Sequence, residues 1–510
     1  MRKASVSFFA VLALAAFPHR VSALPADAIG LPAAPPGPIV DAPDGRSDME
    51  LVRFDDRVVA ALRSLAPEES IRLEDWPVAP GVRRQVVLHR FDVYAPDARI
   101  VRFVDGREVE LPRSPLVFFR GRTVDPGEEV RLVAWADPVA GIRGGLCLSP
   151  EGVVELEPDD AETSSGRLRV LFAGSRHGVD DAPTWTCGQD ENGPEAARFE
   201  ELGVADAPPP SELSALASPT RTAVLAFDTD AEYITLRHGG STSATTTYIA
   251  SLVAAMTLIY ERDASATMDQ GVRILQGYTI LRPTEAEDPY TDTTGVADSA
   301  KLNEFTNYWE TNYPRTVVRR ALAALLSGKT GSPNSASGIA WISGLCNGIG
   351  YSIDQIFTGN WGVSNDLGIL AHEVGHNFGA RHTHNCTYGD PPIDTCLSAE
   401  GGCEPQGPCP SPQTIFGVPN VTGTLMSYCH LRGDSCTSSL VFHRLSVTGT
   451  NSSNGILDDI TGATCLASVS GGSVPPGPSG VAISPSSGPI AGGQAVTITG
   501  SGFTSGAAVS

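Results

Sequence analysis

The spacing of apolar and polar positions divides the chain into a β-rich N-terminal part and a mixed C-terminal part. Apolar and polar residues alternate over 84–94, 99–104, 115–119 and 129–135, which is the period of strands with one buried face. Turn residues separate these segments. The pattern therefore predicts a β-rich domain with its core at about 52–170.

From residue 221 onward, strand-like and helix-like segments alternate. Apolar runs predict buried strands, and 3.6-residue spacing predicts helices: strands at 222–228, 271–281 and 337–343, helices at 244–260 and 303–326, the second interrupted at Pro314. Such alternation is typical of α/β or α+β layer architectures.

Segments rich in Pro, Gly, Ser and Ala mark the boundaries between these parts. We predict a flexible leader at 24–46 and linkers at 205–219 and 468–480. The remaining segment, 481–510, contains a strand-like stretch at 496–499. About 30 residues cannot bury a core alone, so we expect this segment to belong to a domain that continues beyond it.

The N-terminus has the features of a signal peptide, which we assign to residues 1–23. Arg2 and Lys3 give a positive start, an apolar run follows at 6–17, and small residues at 21–23 suit cleavage. The alternative, a short membrane anchor, is disfavoured because a span needs about 20 apolar residues. We expect a secreted protein and no other membrane-crossing stretch.

Composition narrows the possible partners. Apolar residues make up 41% of the chain and charged residues 18%, which suits packed domains. The formal net charge of −22 argues against nucleic acid as a partner, because phosphate binding needs a basic surface.

Ten cysteines suit an exported chain, and eight of them lie in the second half. We expect these eight to form disulfides, with the connectivity left open because eight cysteines allow 105 pairings. They are Cys346, Cys386, Cys396, Cys403, Cys409, Cys429, Cys436 and Cys465.

The most informative segment is 366–382, which predicts a helix with two histidines on one face. Three residues could cap its start: Ser364, Asn365 and Asp366. Four residues form an apolar stripe at helical spacing: Leu367, Leu370, Val374 and Phe378. His372 and His376 are four residues apart and lie opposite that stripe. The stripe can pack while both imidazoles face a cleft.

Three further residues complete the pattern His-Glu-x-x-His-x-x-Gly-x-x-His. Glu373 lies beside the histidine face, where it can act on water without ligating the metal. Gly379 can adopt a left-handed conformation and end the helix, so that His382 returns as a third ligand. Three nitrogen ligands and a water are the open arrangement of a catalytic zinc site, whereas structural zinc sites have four protein ligands.

This motif resembles that of the metzincin zinc peptidases, in which a Met-turn follows. Met426, in Thr424-Leu-Met-Ser-Tyr-Cys429, lies 44 residues after His382 and resembles the turn methionine beneath the metal. The overall organisation resembles the reprolysin/adamalysin (M12B-type) branch over about 85–465.

The resemblance implies a fold, an activity and a domain order. It implies a metzincin catalytic domain at 220–467 with a mixed twisted sheet and a zinc-binding helix, hydrolysing protein or peptide substrates as a monomer with one Zn²⁺. Segments similar to the adamalysin propeptide lie at 118–122, 141–145 and 154–158, which implies a propeptide at 24–204. Calcium sites are common in related proteases, but no ligands are assigned.

Two residues depart from the adamalysin pattern. Thr383 follows the third histidine, where adamalysins usually carry Asp. Tyr428 resembles the Met-turn tyrosine of astacins and serralysins, which can approach zinc. Tyr428 is therefore either catalytic or structural, and both interpretations stay open.

Cys187-Gly188 resembles the cysteine switch of adamalysin propeptides, in which a thiolate occupies the open zinc position and keeps the precursor inactive. The alternative is a disulfide between Cys147 and Cys187.

Residues 483–503 resemble the start of an Ig-like IPT/TIG domain. Such domains act as spacers or adhesive modules. The main hypothesis is a secreted zinc endopeptidase made as a zymogen, and the alternative is a secreted binding or adhesion protein in which proteolysis is secondary.

Overall fold

The structure of the chain is a computed structural model. It describes residues 49–124, 130–149, 152–159, 166–173, 184–188, 221–265, 271–291, 295–332, 335–359, 362–432, 436–450, 454–468, 479–484 and 497–501. The predicted signal peptide, the leader at 24–46, the linker at 205–219 and most of the linker at 468–480 lie outside these residues.

The N-terminal region consists mainly of strands, as its alternating pattern predicts. Its elements are β1 (Met49–Arg53), α1 (Asp56–Ser64), β2 (Ser70–Ala79), β3 (Val82–Phe91), β4 (Ile100–Val104), β5 (Arg107–Leu111), β6 (Val117–Thr123), β7 (Arg131–Asp137), β8 (Gly141–Ser149), β9 (Gly152–Pro158), β10 (Arg167–Phe172) and β11 (Thr184–Cys187). Eight of these strands form one antiparallel sheet in the order β1-β10-β9-β8-β7-β6-β3-β2. Its apolar core includes Leu62, Trp76 and Phe119.

The C-terminal region alternates strands and helices. Its elements are β12 (Arg221–Thr229), a π-helix (Tyr233–Arg237), α2 (Thr242–Asp263), β13 (Val272–Ile280), α3 (Ser299–Asn312), β14 (Leu322–Ser327), β15 (Ser335–Ala340), β16 (Tyr351–Gln355), α4 (Val363–Asn377), a 3₁₀ turn (Cys386–Tyr388), β17 (Gln413–Ile415), β18 (Val418–Val421), a 3₁₀ turn (Cys429–Arg432), α5 (Arg444–Thr448), α6 (Ile456–Gly462), β19 (Ala467–Ser468), β20 (Ser479–Ser484) and β21 (Thr497–Ser501).

A second, mixed sheet carries the helices of this region. Its strand order is β11-β15-β16-β14-β12-β13-β4-β5, and β19 pairs with β12. Leu225 and Phe227 of β12 pack in the apolar layer that contains α2 and α4, whereas Ala226 packs in the opposite layer with α3. The mixed α/β architecture expected from the alternation is therefore present.

The N-terminal region supplies strands at both ends of this second sheet. β11 pairs with β15 in parallel, and β4 pairs with β13 in parallel. The alternating segment 99–104, which the pattern places in the β-rich domain, thus joins the second sheet and not the antiparallel one. Ile100 and Val101 point into opposite apolar layers of the second sheet and are fully buried there.

The apolar layer around α2 also contains residues of the first sheet. Phe91, Phe118 and Trp135 belong to the same buried cluster as Ile249 and Leu252 of α2. The N-terminal and C-terminal regions thus share one apolar layer, while the N-terminal sheet keeps a core of its own on its other face.

The predicted helix 303–326 is wrong in its second half. The helix α3 ends at Asn312, and the apolar run at 322–326 forms the strand β14. All six residues of β14 are buried. A short run that is apolar on every side cannot be assigned to helix or strand by periodicity, and its place between β12 and β16 decided the outcome.

The predicted cap of α4 is also wrong. The helix begins at Val363, and the N-cap residue is Gly362, which has no capping side chain. Instead, the buried carboxylate of Glu155 accepts a hydrogen bond from the Ser364 N–H at 2.9 Å. A residue of the N-terminal region therefore satisfies one of the unpaired donors at the start of this helix.

All eight C-terminal cysteines form disulfides, as expected: Cys346–Cys465, Cys386–Cys403, Cys396–Cys429 and Cys409–Cys436. Cys147 and Cys187 form no disulfide. The alternative pairing of these two cysteines is therefore not the one adopted.

One described helix, α2, is long and apolar enough to cross a membrane by length and composition. Length and composition alone are weak evidence for a membrane span, because a buried core helix meets the same test. In this fold, 72% of its apolar 18-residue stretch is buried inside the protein, as expected for a core helix.

In the last predicted domain, at 481–510, the strands β20 and β21 pair in an antiparallel manner.

Candidate metal centre and active site

The apolar stripe of helix α4 packs in the layer that contains α2, Glu373 and Asn377 face the mixed sheet, and the two histidines face the cluster that they form with His382 and Cys187. Tyr260 of α2 donates a hydrogen bond to the Ala371 carbonyl at 2.8 Å. Gly379 has φ +93°, a left-handed conformation that ends the helix and turns the chain towards His382. Gly338 of β15 leaves room for the carboxylate of Glu373, because a Cβ at this glycine would overlap the Glu373 Oε1.

Main-chain carbonyls hold the first two imidazoles. The His372 Nδ1 lies 2.8 Å from the Leu425 carbonyl oxygen, and the His376 Nδ1 lies 2.8 Å from the Ala380 carbonyl oxygen. A carbonyl can only accept, so each Nδ1 carries the proton and the lone pair of each ring lies on Nε2. Both tautomers therefore suit metal ligation through Nε2.

A carboxylate holds the third imidazole. The His382 Nδ1 lies 2.7 Å from the Glu400 Oε1. Although burial alone would raise the pKa of Glu400, the neighbouring His382 and His384 hold it well below its usual range. Glu400 is therefore an ionised acceptor, and the lone pair of His382 also lies on Nε2.

The three Nε2 atoms converge in a way that suits a cation. The His376 and His382 Nε2 atoms lie 3.2 Å apart, close to the spacing of about 3.3 Å expected for two nitrogens on one tetrahedral zinc. Two lone pairs at this distance repel unless a cation lies between them. The His372 Nε2 is buried and has no hydrogen-bond partner in the described part of the chain. The three histidines therefore fit a zinc ion.

The thiol of Cys187 lies at the same point. Its Sγ is 3.6 Å from the His376 Nε2, close to the spacing of about 3.6 Å between sulfur and nitrogen ligands of a tetrahedral zinc. The four ligand atoms of Cys187, His372, His376 and His382 all lie within 4.8 Å of one another. The set could hold a metal with four protein ligands.

Glu373 lies beside this cluster and not in it. Its side chain is fully buried, its Oε1 has no hydrogen-bond partner among the described residues, and its Oε2 lies 3.5 Å from the Cys187 Sγ. Burial, together with the nearby Asp354, raises the pKa of Glu373 well above its usual range. This carboxylate therefore binds a proton more readily than a solvated glutamate does.

The segment 184–188 covers the cleft in front of the cluster. It runs parallel to β15 with Cys187 opposite Gly338, and the Gly188 N–H donates to the Gly338 carbonyl at 2.6 Å. The Tyr428 hydroxyl accepts from the Cys187 N–H at 3.2 Å and donates to the Cys187 carbonyl at 3.0 Å. Residue 187 is therefore held by backbone contacts as well as by its thiol.

The indole of Trp185 fills the adjoining apolar pocket. It stacks on the His430 ring at a centroid distance of 4.6 Å and meets the His372 ring edge-on at 4.9 Å. Ala336, Phe357 and Ile369 form the apolar cluster against which it packs. The contact between Trp185 and His430 joins residues 245 positions apart, so no local pattern in the sequence indicates it.

Met426 is fully buried and packs against α4 at Gly375, the residue before His376. A Cβ on Gly375 would lie 2.9 Å from the Met426 Sδ. Thr383 donates its N–H to the Met426 carbonyl at 3.0 Å, and its hydroxyl hydrogen-bonds the Asp394 carboxylate. The residue after the third histidine thus links the turn to a carboxylate from another loop.

Burial also sets the protonation of the remaining site groups. It lowers the pKa of His372 and His376 well below the usual value, and the neighbouring imidazoles add to this effect. Burial, followed by the adjacent Cys187 and Glu373, raises the pKa of Tyr428. The imidazoles are therefore neutral and Tyr428 is protonated at neutral pH.

Comparison with known families agrees with this site. Residues 218–431 match Reprolysin_5, described as metallo-peptidase family M12, and residues 478–510 match the IPT/TIG domain. The chain therefore carries a reprolysin-like metallopeptidase domain followed by a C-terminal TIG domain. No curated protein matches the chain.

The family match has three consequences. The domain is of the metalloprotease type, and the family implies a zinc cofactor and action on protein substrates. The four disulfides and the family are also consistent with an extracellular protein.

Proposed function

We propose that this protein is a secreted zinc endopeptidase made as an inactive precursor, with His372, His376 and His382 as the metal ligands. The observation that carries the proposal is the convergence of three buried imidazoles whose Nε2 lone pairs point to one position beside Glu373. Bound zinc would supply Lewis acidity towards the peptide carbonyl and towards water.

In this mechanism Glu373 is the general base. Its raised pKa and its position 3.5 Å from the Cys187 sulfur, at the open side of the cluster, suit a carboxylate that takes a proton from the attacking water. The same carboxyl group then returns the proton to the leaving amine. Met426 forms the apolar base of the site.

The substrate backbone pairs with β15 in this proposal. Main-chain bonds along such an edge provide affinity, and side-chain pockets provide specificity. The Tyr428 hydroxyl, which now contacts the backbone of residue 187, can donate a hydrogen bond to the substrate carbonyl oxygen. This favours the catalytic interpretation of Tyr428 over the purely structural one.

The N-terminal region acts as a propeptide through the segment 184–188. Cys187 occupies the position that water needs, and Trp185 fills the neighbouring pocket. Because β11 runs along β15, substrate and this segment exclude each other. We place the propeptide at 24–204 and the catalytic domain at 220–467.

The test compares the full chain with the same chain carrying Glu373→Ala. Both contain Cys187→Ser and a recognition site for an exogenous site-specific protease within 205–219, and both are cut before assay. We expect casein cleavage by the first and its loss in the second, with zinc content near one per chain in both by mass spectrometry. A folded, zinc-loaded protein with intact Glu373 that cleaves neither casein nor a peptide library would contradict the proposal and favour a binding role.

A further inference from the structure

The loop after the zinc motif carries a carboxylate that reaches the third imidazole. One oxygen of Glu400 lies 2.7 Å from the His382 Nδ1 and 3.4 Å from the His384 Nε2. Its other oxygen accepts from the Asn385 side chain at 3.1 Å. The rings of His382 and His384 stack at 5.3 Å with an angle of 8°, so both present their edges to the same carboxylate.

The backbone around Glu400 is held independently of α4. The disulfide Cys386–Cys403 closes the loop, the Cys386 N–H donates to the Glu400 carbonyl at 2.9 Å, and the Glu400 N–H donates to the His384 carbonyl at 3.0 Å. The carboxylate is therefore brought to His382 by a covalently closed loop, which can hold its orientation firmly.

The carboxylate of Glu400 has histidines as its charged partners. Its side chain is 15% exposed, and within the described part of the chain its ion pairs are with His382 and His384 and with no lysine or arginine. A largely buried carboxylate needs a compensating positive partner. Neutral imidazoles compensate it poorly, whereas a cation bound to the Nε2 of His382 would compensate it through the ring.

The three candidate ligands therefore differ in their supporting partners. His372 and His376 donate to neutral carbonyls, and His382 alone among them donates to an anion. An anionic partner fixes the proton on Nδ1 and makes the Nε2 of the ring more basic, so that it binds a metal ion more strongly.

We propose that Glu400 is the positioning residue of the metal centre, orienting His382 and strengthening its hold on the cation. This inference rests on the proposed zinc-peptidase function.

The test measures zinc affinity in the full chain without relying on activity. Glu400→Ala and Glu400→Gln are compared with wild type by competition with a chromophoric chelator, each with Cys187→Ser so that the thiol does not mask the change. We expect zinc affinity to fall by about 10–100-fold in Glu400→Ala. The loss in Glu400→Gln should be smaller, because the amide oxygen can still accept from His382 without the charge.

Glu404→Gln is the matched control, since it removes a carboxylate directly after the disulfide-closed loop that, among the described residues, has no side-chain contact to the histidines. It should bind zinc like wild type. Cobalt(II) spectra of the variants report the ligand set directly, and the Glu400 variants should show a changed visible band. If Glu400→Ala is poorly folded without zinc, Glu400→Gln provides the comparison, because it preserves the shape of the side chain.

The outcomes separate this inference from the proposed function. Wild-type zinc affinity in folded Glu400→Ala and Glu400→Gln, or an equal loss in Glu404→Gln, would overturn the role of Glu400. A wild type that binds zinc tightly but cleaves no substrate would overturn the proposed function and leave the affinity comparison intact. A wild type that binds no zinc would overturn both.

Discussion

The two ends of the mixed sheet are both covered by the N-terminal region, but in different ways. At the β15 end, the four-residue strand β11 brings Cys187 to the histidine cluster. At the β13 end, the hairpin β4–β5 lies far from that cluster in the strand order, and fully buried Ile100 and Val101 pair with Thr279 and Ile280.

The N-terminal region meets the mixed sheet through two contacts of different kinds. The β15 contact depends on a short segment with partly exposed side chains and on one thiol. The β13 contact depends on buried apolar side chains and a shared core. Blocking the cleft and holding the two regions together should therefore respond to different substitutions.

The largest expected effect follows the loss of the thiol at the β15 end. Cys187→Ser in the uncut full chain should raise casein cleavage about tenfold or more, because a lost contact of only ~1.4 kcal/mol already changes occupancy tenfold. Some inhibition should remain, since β11 and Trp185 still occupy the cleft. The measurement is the initial rate at equal zinc content.

Cys147→Ala is the matched control for that prediction. Cys147 is fully buried in the core of the N-terminal sheet, and burial raises the pKa of its thiol to about 12. Its loss should not raise the basal rate. Equal activation by both substitutions would show that general loosening, and not the Cys187 contact, releases activity.

The next effect concerns the β13 end. Ile100→Ala should lower the free energy of unfolding by about 2–5 kcal/mol, the range for large-to-small core substitutions, while the uncut chain stays inactive. Urea unfolding and casein assays on the same samples measure both. Val109→Ala, on the exposed side of the same hairpin at 41% exposure, should change little. An Ile100→Ala chain as active as Cys187→Ser would mean that the two ends act together.

Acid should weaken the histidine cluster. Burial keeps the pKa of His372 and His376 below the usual 6.5 in the folded protein, so the unfolded state binds more protons in acid. The free energy of unfolding of the zinc-free chain should therefore fall as the pH is lowered through about 6.5. Zinc should also be released in acid, as protons compete for the imidazoles. Zinc retained stoichiometrically at about pH 4 would contradict a three-histidine site.

The smallest effect is that of an ion pair at the β13 end. Arg102 lies 2.6 Å from Glu287, with side chains that are 30% and 12% exposed. Removing it by Arg102→Gln should cost about 0.2–1 kcal/mol, as for partly solvated pairs. If Arg102→Gln lowered the free energy of unfolding by more than Ile100→Ala does, the β13 contact would depend mainly on charge and not on apolar burial.

The spacing of apolar residues correctly predicted the helices and strands whose apolar residues follow one clear repeat. The helix at 244–260 and the strands at 222–228 and 271–281 are confirmed within a few residues. The strand at 322–327 was predicted wrongly as helix, since an apolar run buried on all sides carries no period. The alternation at 99–104 did not indicate that this strand joins the second sheet, because alternation does not identify the partner strand.

The candidate site likewise contains residues that local spacing predicted and residues that it did not. Spacing alone predicted that His372 and His376 share a helix face and that Gly379 turns the chain, and both are present. The catalytic roles of Glu373 and Tyr428 stay predictions. Trp185 and Glu400 carried no motif, because each acts through a contact that forms only after distant segments fold together.

The sequence by itself therefore determined the chemistry that the chain can perform: the identity and order of the histidines, the adjacent carboxylate, and the helix that spaces them, since these follow from a local 3.6-residue repeat. Only the tertiary structure decided which residues surround these groups. It placed Cys187 against the cluster, Glu400 behind His382 and Glu155 at the start of α4. Such contacts depend on which strands pair and which loops close, and these outcomes are set by the burial of the whole core.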